Sequence, residues 1–231
     1  MRLLAVSSSA LSSFISVSTF LSLFLLSEQI HALWPQPRDI QTGHLALLLA
    51  PSFKITVAIP DAPSDLLAAA RRTHAHLATD KLARLVPTHG AEDLPALAHA
   101  RTLPGLTLTL RLGPGIKEGS LAAAAPIAVE ARAPLTDRDE GYCLSVPADG
   151  GEAVLSADST LGLFRGLNTF AQLWYHYDVS PDDATAAAAA GASGGGLHGS
   201  IVYMLTAPVV IHDSPAYVRH EAINSRCVGG C

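Results

Sequence analysis

Two stretches alternate apolar and polar residues at period two, and they set the first expectations for the fold. Phe53-Lys54-Ile55-Thr56-Val57-Ala58-Ile59 alternates up to Pro60, and Leu106-Thr107-Leu108-Thr109-Leu110-Arg111-Leu112 alternates up to Gly113-Pro114-Gly115. Each predicts a half-buried strand, because successive strand side chains point to opposite faces. Gly141-Tyr142-Cys143-Leu144-Ser145-Val146 and Ala153-Val154-Leu155-Ser156 flank Pro147-Ala148-Asp149-Gly150-Gly151. Glycine there supplies the positive φ of a tight turn, so the two runs predict an antiparallel hairpin. Leu33-Trp34-Pro35-Gln36-Pro37 reads as an opening strand, since each proline fixes its own φ and moves its predecessor out of the α region. Residues 201–205 and 208–211 read as further extended segments, with His212-Asp213-Ser214-Pro215 as a turn.

Apolar residues at helical spacing predict two helices. The first is capped at Ser64, carries Asp65 in its first turn and runs to Leu85, with Leu67, Ala70, His74, Leu77 and Leu85 along its buried face. The second is capped by Asp158 or Ser159 and reaches about Tyr175, with Phe164, Leu167, Phe170, Ala171 and Trp174 on one side. The expected architecture is α+β: a small, mainly antiparallel sheet with two helices packed on one face. Residues 181–199, PDDATAAAAAGASGGGLHG, hold nothing large enough to anchor a core and are expected to form a flexible low-complexity loop.

The N-terminal pattern is different. Arg2 precedes an uncharged apolar run rich in Ser and Thr, followed by Ser27-Glu28-Gln29-Ile30-His31-Ala32. This is the grammar of a secretory signal over residues 1–32, with cleavage after Ala32 expected and a signal anchor as the alternative. No stable membrane span is expected in the remainder. The product is expected to be secreted, or delivered to a lysosome or vacuole, where disulfides persist. Cys143, Cys227 and Cys231 are an odd count, which leaves one thiol unpaired or paired between chains and leaves the pairing among them open.

Composition removes several functional classes. With 15 Lys+Arg against 20 Asp+Glu in 231 residues, the net charge of −5 offers no basic face for phosphates, so nucleic acid is not expected as a partner. Hydrophobic residues make up 49% but aromatics only 6%, so much of the apolar content is alanine, which fills little core volume.

Candidate chemistry is sparse. His74 and His76 stand two apart on a predicted helix and point to different sides, whereas helical metal pairs are spaced at three or four. Asp137, Asp139 and Glu140 read as a solvated turn. Gly113-Pro114-Gly115 lacks the Lys-Ser/Thr pair of a phosphate loop. Cys143 reads as a small buried hydrophobe, and Trp174, Tyr175 and Tyr177 as core residues rather than a sugar-stacking patch. No metal, cofactor or catalytic residue is assigned.

Two segments nevertheless carry a resemblance. Ala32-Leu33-Trp34-Pro35-Gln36-Pro37 resembles the mature start of eukaryotic-type β-N-acetylhexosaminidases of glycoside hydrolase family 20. Asp139-Glu140-Gly141-Tyr142-Cys143-Leu144-Ser145-Val146, followed by Gly162-Leu163-Phe164-Arg165-Gly166-Leu167-Asn168-Thr169-Phe170-Ala171-Gln172-Leu173-Trp174, is similar to that family's signature. The resemblance implies the non-catalytic N-terminal domain over residues 33–215, followed by a short irregular tail at 216–231. Ile211-His212-Asp213-Ser214-Pro215-Ala216-Tyr217 resembles the junction into the family's (β/α)₈ catalytic barrel. That barrel, with its catalytic Asp-Glu pair, needs about 200 residues or more and is absent from the sequence.

Two readings follow. In one, the chain is a truncated family member, inactive alone. Its full-length form hydrolyses terminal N-acetylhexosamine residues of chitin oligomers or glycoconjugates by substrate-assisted retention. Its partner is then its own or a separate barrel domain. In the other, the chain is a secreted, non-catalytic binding or pseudo-enzyme module. A zinc protease is excluded by the lack of His-Glu-x-x-His.

Overall fold

Strand β1 (Asp39–Val57) uses both of its edges. In this computed structural model, which describes residues 33–79, 89–111, 124–183, 185 and 199–214, β1 pairs antiparallel with β6 (Gly199–Asp213) from Asp39↔His212 to Leu48↔Tyr203. Its later part pairs parallel with β2 (Arg101–Leu110), through Leu47↔Arg101 and Val57↔Leu108. β2 lies parallel to β4 (Ala153–Ala157), β4 antiparallel to β3 (Tyr142–Val146), and β3 antiparallel to β6. The pairings therefore form a closed circuit of five strands, with β5 (Tyr175–Val179) added antiparallel beside β6. Four of the six pairings are antiparallel, as the sequence predicts for the sheet. Contacts divide the chain into residues 1–32 and 33–231, and every described residue belongs to the second unit.

The helices among the described residues include α1 (Ser64–Thr79), the short α2 (Leu94–Leu97) and α3 (Ile127–Glu130), and α4 (Thr160–Gln172), and residues 181–183 and 185, expected to open a flexible loop, are helical as well. None of the described helices is long and apolar enough to cross a membrane. The two long helices share one core with the sheet, through Leu66, Leu77, Leu163 and Phe170 against Leu106, Leu144, Leu155 and Ile211, all buried. Phe53 of β1 stacks on the ring of Phe170, with centroids 6.0 Å apart. A second, smaller cluster forms where Leu94 and Leu97 of α2 pack on Tyr203 of β6, beside Leu48, Tyr175 and Ile201. Because Met204 belongs to the main core and Tyr203 to the small one, strand alternation places the two clusters on opposite sides of β6.

α4 lies close against the β3–β4 hairpin because glycine permits it. A Cβ at Gly162 would overlap the carbonyl oxygen of Gly141, and one at Gly166 would run into Leu155 and come within 3.1 Å of Tyr142. Ser159 caps α4 by accepting the Gly162 amide at 2.8 Å. Glu130 joins the same helix start, its Oε2 accepting Thr160 Oγ1 at 2.8 Å and the Leu161 amide at 2.7 Å. A carboxylate there meets otherwise unsatisfied donors and the positive end of the helix dipole.

The hairpin forms as expected, with Gly150 at φ 88° in its turn. Several sequence expectations need correction. Residues 33–37 form no strand: Trp34 and Pro35 make a bend, joined by a cis peptide, and β1 starts at Asp39. The buried face of α1 is rotated by about one residue, with Leu66, Ala69, Ala70 and Leu77 inside and His74 outside. The expected end of that helix, Leu85, lies outside the described residues, as do Gly113-Pro114-Gly115 and residues 186–198. α4 stops at Gln172, and Tyr175 opens β5 instead. The two extended segments near the C-terminus are one strand, β6, which takes in His212 and Asp213 in place of the expected turn.

Candidate functional site

A groove of about 970 Å³ is lined by residues of α1 and α4, by the chain around Trp34, by residues between 135 and 140 and by the end of β6. Its residues follow from helical spacing. Ala69, Arg72, Thr73 and His76 come from one side of α1, and Phe164, Arg165, Asn168 and Gln172 from the side of α4 that faces away from the hairpin. Trp34 stands at its rim with 85% of its surface exposed.

That exposure is imposed by a polar clamp. The Gln172 carboxamide accepts the Trp34 backbone N–H through Oε1 at 2.8 Å and donates through Nε2 to the Trp34 carbonyl at 3.0 Å. Nε2 also reaches the Asn168 carbonyl at 3.2 Å. Leu33, immediately before, is buried at 6% exposure. The backbone is thus held on both sides while the indole projects outward.

The carboxylates of the groove are engaged in building it. Glu140 Oε2 accepts Arg165 Nε at 3.0 Å. Asp213 Oδ1 accepts the backbone amides of Arg38 at 3.2 Å and Ser214 at 2.9 Å. Arg138 Nε donates to the Ala133 carbonyl at 2.7 Å. Both carboxylates of the groove are thus engaged, Glu140 by a cation and Asp213 by backbone amides.

The sequence-derived candidates do not converge. Asp137 accepts from Thr136, Asp139 accepts the Gly141 amide at 3.0 Å, and Glu140 pairs with Arg165, so the three neighbouring carboxylates serve three local contacts. His74 Nε2 meets the Phe53 carbonyl at 2.9 Å and its ring stacks on Phe53, whereas His76 faces the groove. Among the described residues no group of His, Cys, Asp and Glu is arranged to hold a metal ion. Cys143 is corrected from a small buried hydrophobe: it is half-buried and disulfide-bonded, with Arg111 Nη1 donating to its sulfur at 2.9 Å. Arg111 also clasps both oxygens of Asp158, at 3.0 and 2.9 Å. Trp174 is core, as expected, and its indole Nε1 has no hydrogen-bond partner. Tyr175 and Tyr177 pack on the small cluster instead, half-buried.

One polar constellation escaped the sequence. Asp93 Oδ2 accepts Tyr203 OH at 2.6 Å, the Gly90 amide at 3.0 Å and His89 Nδ1 at 2.9 Å, and the His89 ring stacks on Tyr175 at 4.4 Å. Burial, then the Asp93 carboxylate, push the Tyr203 phenol well above its ordinary value, which holds it neutral and donating. Tyr203 is 1% exposed, so this is a clasp that fastens α2 over β6. The Trp34–Gln172 pair also escaped, because nothing local in residues 138 positions apart marks them as partners. A signal did exist for β5, whose Tyr175-His176-Tyr177-Asp178-Val179 alternates at period two.

Comparison with known proteins gives one family. The model described as beta-acetyl hexosaminidase like matches residues 33–173. Solved structures with a related arrangement include the chitobiase of Flavobacterium johnsoniae, at 17% identity and TM-score 0.40, covering 79% of this chain and 20% of that one. They also include the glycoside hydrolase family 20 exo-β-N-acetylglucosaminidase of Vibrio harveyi, at 12% identity and TM-score 0.38, covering 79% and 19%. The chain thus spans about a fifth of the length of these structures. No curated protein matches it in sequence.

Proposed function

The chain belongs to the beta-acetyl hexosaminidase-like family, and from that membership we propose that it is the non-catalytic N-terminal domain of a eukaryotic-type β-N-acetylhexosaminidase, inactive by itself. The observation that carries this reading is what the family-like residues do. Gly162 lets α4 reach the Gly141 carbonyl, and Gly166 lets it reach Tyr142 and Leu155. Tyr142 OH bonds Thr169 Oγ1 at 2.7 Å inside the core, Arg165 pairs with Glu140, and Gln172 clamps Trp34. These residues join a helix, a hairpin and the chain start into one body. A motif spent on construction supports a structural role.

In the proposed full-length form, a barrel carrying an adjacent Asp-Glu pair removes terminal N-acetylhexosamine residues from chitin oligomers or glycoconjugates. The mechanism is substrate-assisted retention, which departs from the two-carboxylate scheme of most glycosidases. The 231-residue product is then a truncated form that enters the secretory route through residues 1–32 and is secreted or delivered to a lysosome or vacuole.

The test has two arms. Purified chain incubated with an aryl N-acetylglucosaminide should release no aryl alcohol above a heat-inactivated control. Transcripts read past codon 231 should continue in frame into an Asp-Glu-bearing barrel. Turnover by the chain itself, or an authentic stop at that codon with no longer transcript, would overturn the reading in favour of a self-contained enzyme or a stand-alone module respectively.

A further inference from the structure

Cys143 stands on a sheet face that none of the described helices covers. Its neighbours Tyr142 and Leu144 point into the main core, so strand alternation turns Cys143 to the opposite side. α1 and α4 pack on the core side of these strands, and α2 packs farther along β6 at Tyr203. The register carries one row of side chains across the outer face, through Thr109, Ser156, Cys143, His212 and Asp39, and places Val154 and Val210 in the next row. Val154 is 43% exposed there, although β4 has a strand on either side.

The disulfide identifies what is fastened to this face. Cys143 is disulfide-bonded, and the sequence holds only two other cysteines, Cys227 and Cys231. Both edges of β3 are taken, by β4 and β6, so the partner cannot arrive as a neighbouring strand and must lie over the face. A disulfide holds its two Cα atoms within about 7 Å, which puts the partner's backbone against the sheet. β6 delivers the chain at Asp213, paired with Tyr142 beside Cys143, so the segment beyond Ser214 starts at the same patch. Residues 215–226 in extended form would reach roughly 40 Å. Five strands about 4.8 Å apart span only roughly 20 Å. The segment also carries Val218, Ile223 and Val228, apolar groups suited to Val154 and Val210.

We infer that the outer face around Cys143 is the docking site for the chain's own residues 215–231, which cross it as a strap pinned by a disulfide from Cys143 to Cys227 or Cys231. Arg111 at 2.9 Å and His212 at 3.4 Å flank the Cys143 sulfur, and Asp158 clasps Arg111, so the anchoring end of the bond is held in one orientation. Tethering makes docking intramolecular, so a modest apolar contact is enough to keep the strap in place. The strap belongs to the 231-residue chain itself and does not depend on the domain reading above.

Trypsin reads the strap, because Arg219 and Arg226 lie within it. Unreduced, alkylated monomer should yield a Cys143 peptide linked to a peptide from residues 215–231, with the third cysteine alkylated. Cleavage after Arg219 in the native chain should be slow and should accelerate at least about tenfold with reductant or in Cys143→Ser, because docked backbone must detach before a protease accepts it. Val154→Lys keeps the bond but sets a cation on the face against a segment with two arginines and one glutamate, and it should raise the same rate at an unchanged urea midpoint. Linkage of Cys143 to a second chain, in a dimer that reductant dissolves, would overturn the strap in favour of a covalent dimer. Cleavage as fast in the oxidised parent as in Cys143→Ser would show a tether that does not dock, and Val154→Lys cleaved no faster than the parent would put the segment on another surface.

Discussion

The Tyr203 hydroxyl donates to Asp93 Oδ2 over 2.6 Å while accepting the Gly90 amide at 3.0 Å. One phenol thereby ties the segment before α2 to a strand more than a hundred residues later. Tyr203→Phe removes the donor to the Asp93 carboxylate and one of the two acceptors of the Gly90 amide, which keeps Asp93 Oδ2, so it should destabilise the domain by about 1–3 kcal/mol, chiefly through the lost bond to a charged group. Urea denaturation reads the change, and amide exchange over residues 94–100 should rise more than in α4. A variant as stable as the parent would show that water replaces the phenol at no loss.

Tyr142 is pushed up to about 12, chiefly by burial, against the opposing effect of its bond to Thr169. A phenol whose folded value is raised stays neutral in the native state after the unfolded chain has ionised. Its contribution is therefore fully present below about pH 10 and declines from there to about pH 12. Tyr203 is shifted in the same direction and adds to the loss. Denaturation at about pH 9 and about pH 11 should show a drop that Tyr142→Phe makes smaller. An equal drop in the variant would assign the alkaline sensitivity elsewhere.

At Gly162, helix propensity and packing pull in opposite directions. Alanine favours a helix over glycine by about 1 kcal/mol, but its Cβ would overlap the Gly141 carbonyl and sit 3.0 Å from the Ala157 methyl. Backbone cannot yield as a side-chain end can, so Gly162→Ala should be net destabilising by roughly 1–3 kcal/mol. A gain in melting temperature would mean that α4 can lift from the hairpin without penalty.

Phe170 is fully buried, stacked on Phe53 and edge-on to Trp174 at 5.6 Å. Phe170→Ala should cost about 3–5 kcal/mol through lost burial and a residual cavity. Chemical denaturation measures it, and a loss below about 1 kcal/mol would be incompatible with the packing described.

What the sequence discloses follows how local the responsible physics is. Alternation placed the strand at residues 106–110, the Asp149-Gly150 turn placed the β3–β4 hairpin, and Ser159 marked the start of α4, because each depends on neighbours a few residues away. The first half of β1 was missed because Leu45 to Ala50 is an unbroken apolar run, which carries no period. His74 and Leu67 were placed inside α1 because apolar spacing alone fixes a helix face only to within one residue, and the sheet chose Leu66 and Ala69. The groove was not legible at all. It exists because Gln172 meets Trp34 and Asp213 meets the Arg38 amide, contacts that only the finished fold creates.

The pairing of Asp39 with His212 has a consequence for synthesis on the ribosome. Of the described strands β1 emerges first, yet one of its edges and an edge each of β3 and β5 wait for β6, the last of the described strands to be made. Closing so long a loop is entropically unfavourable until the strand that rewards it is present. A nascent chain released from the tunnel only as far as β5 therefore presents three unsatisfied strand edges to its surroundings, which makes the interval before residue 199 the one in which chaperone capture competes with self-association.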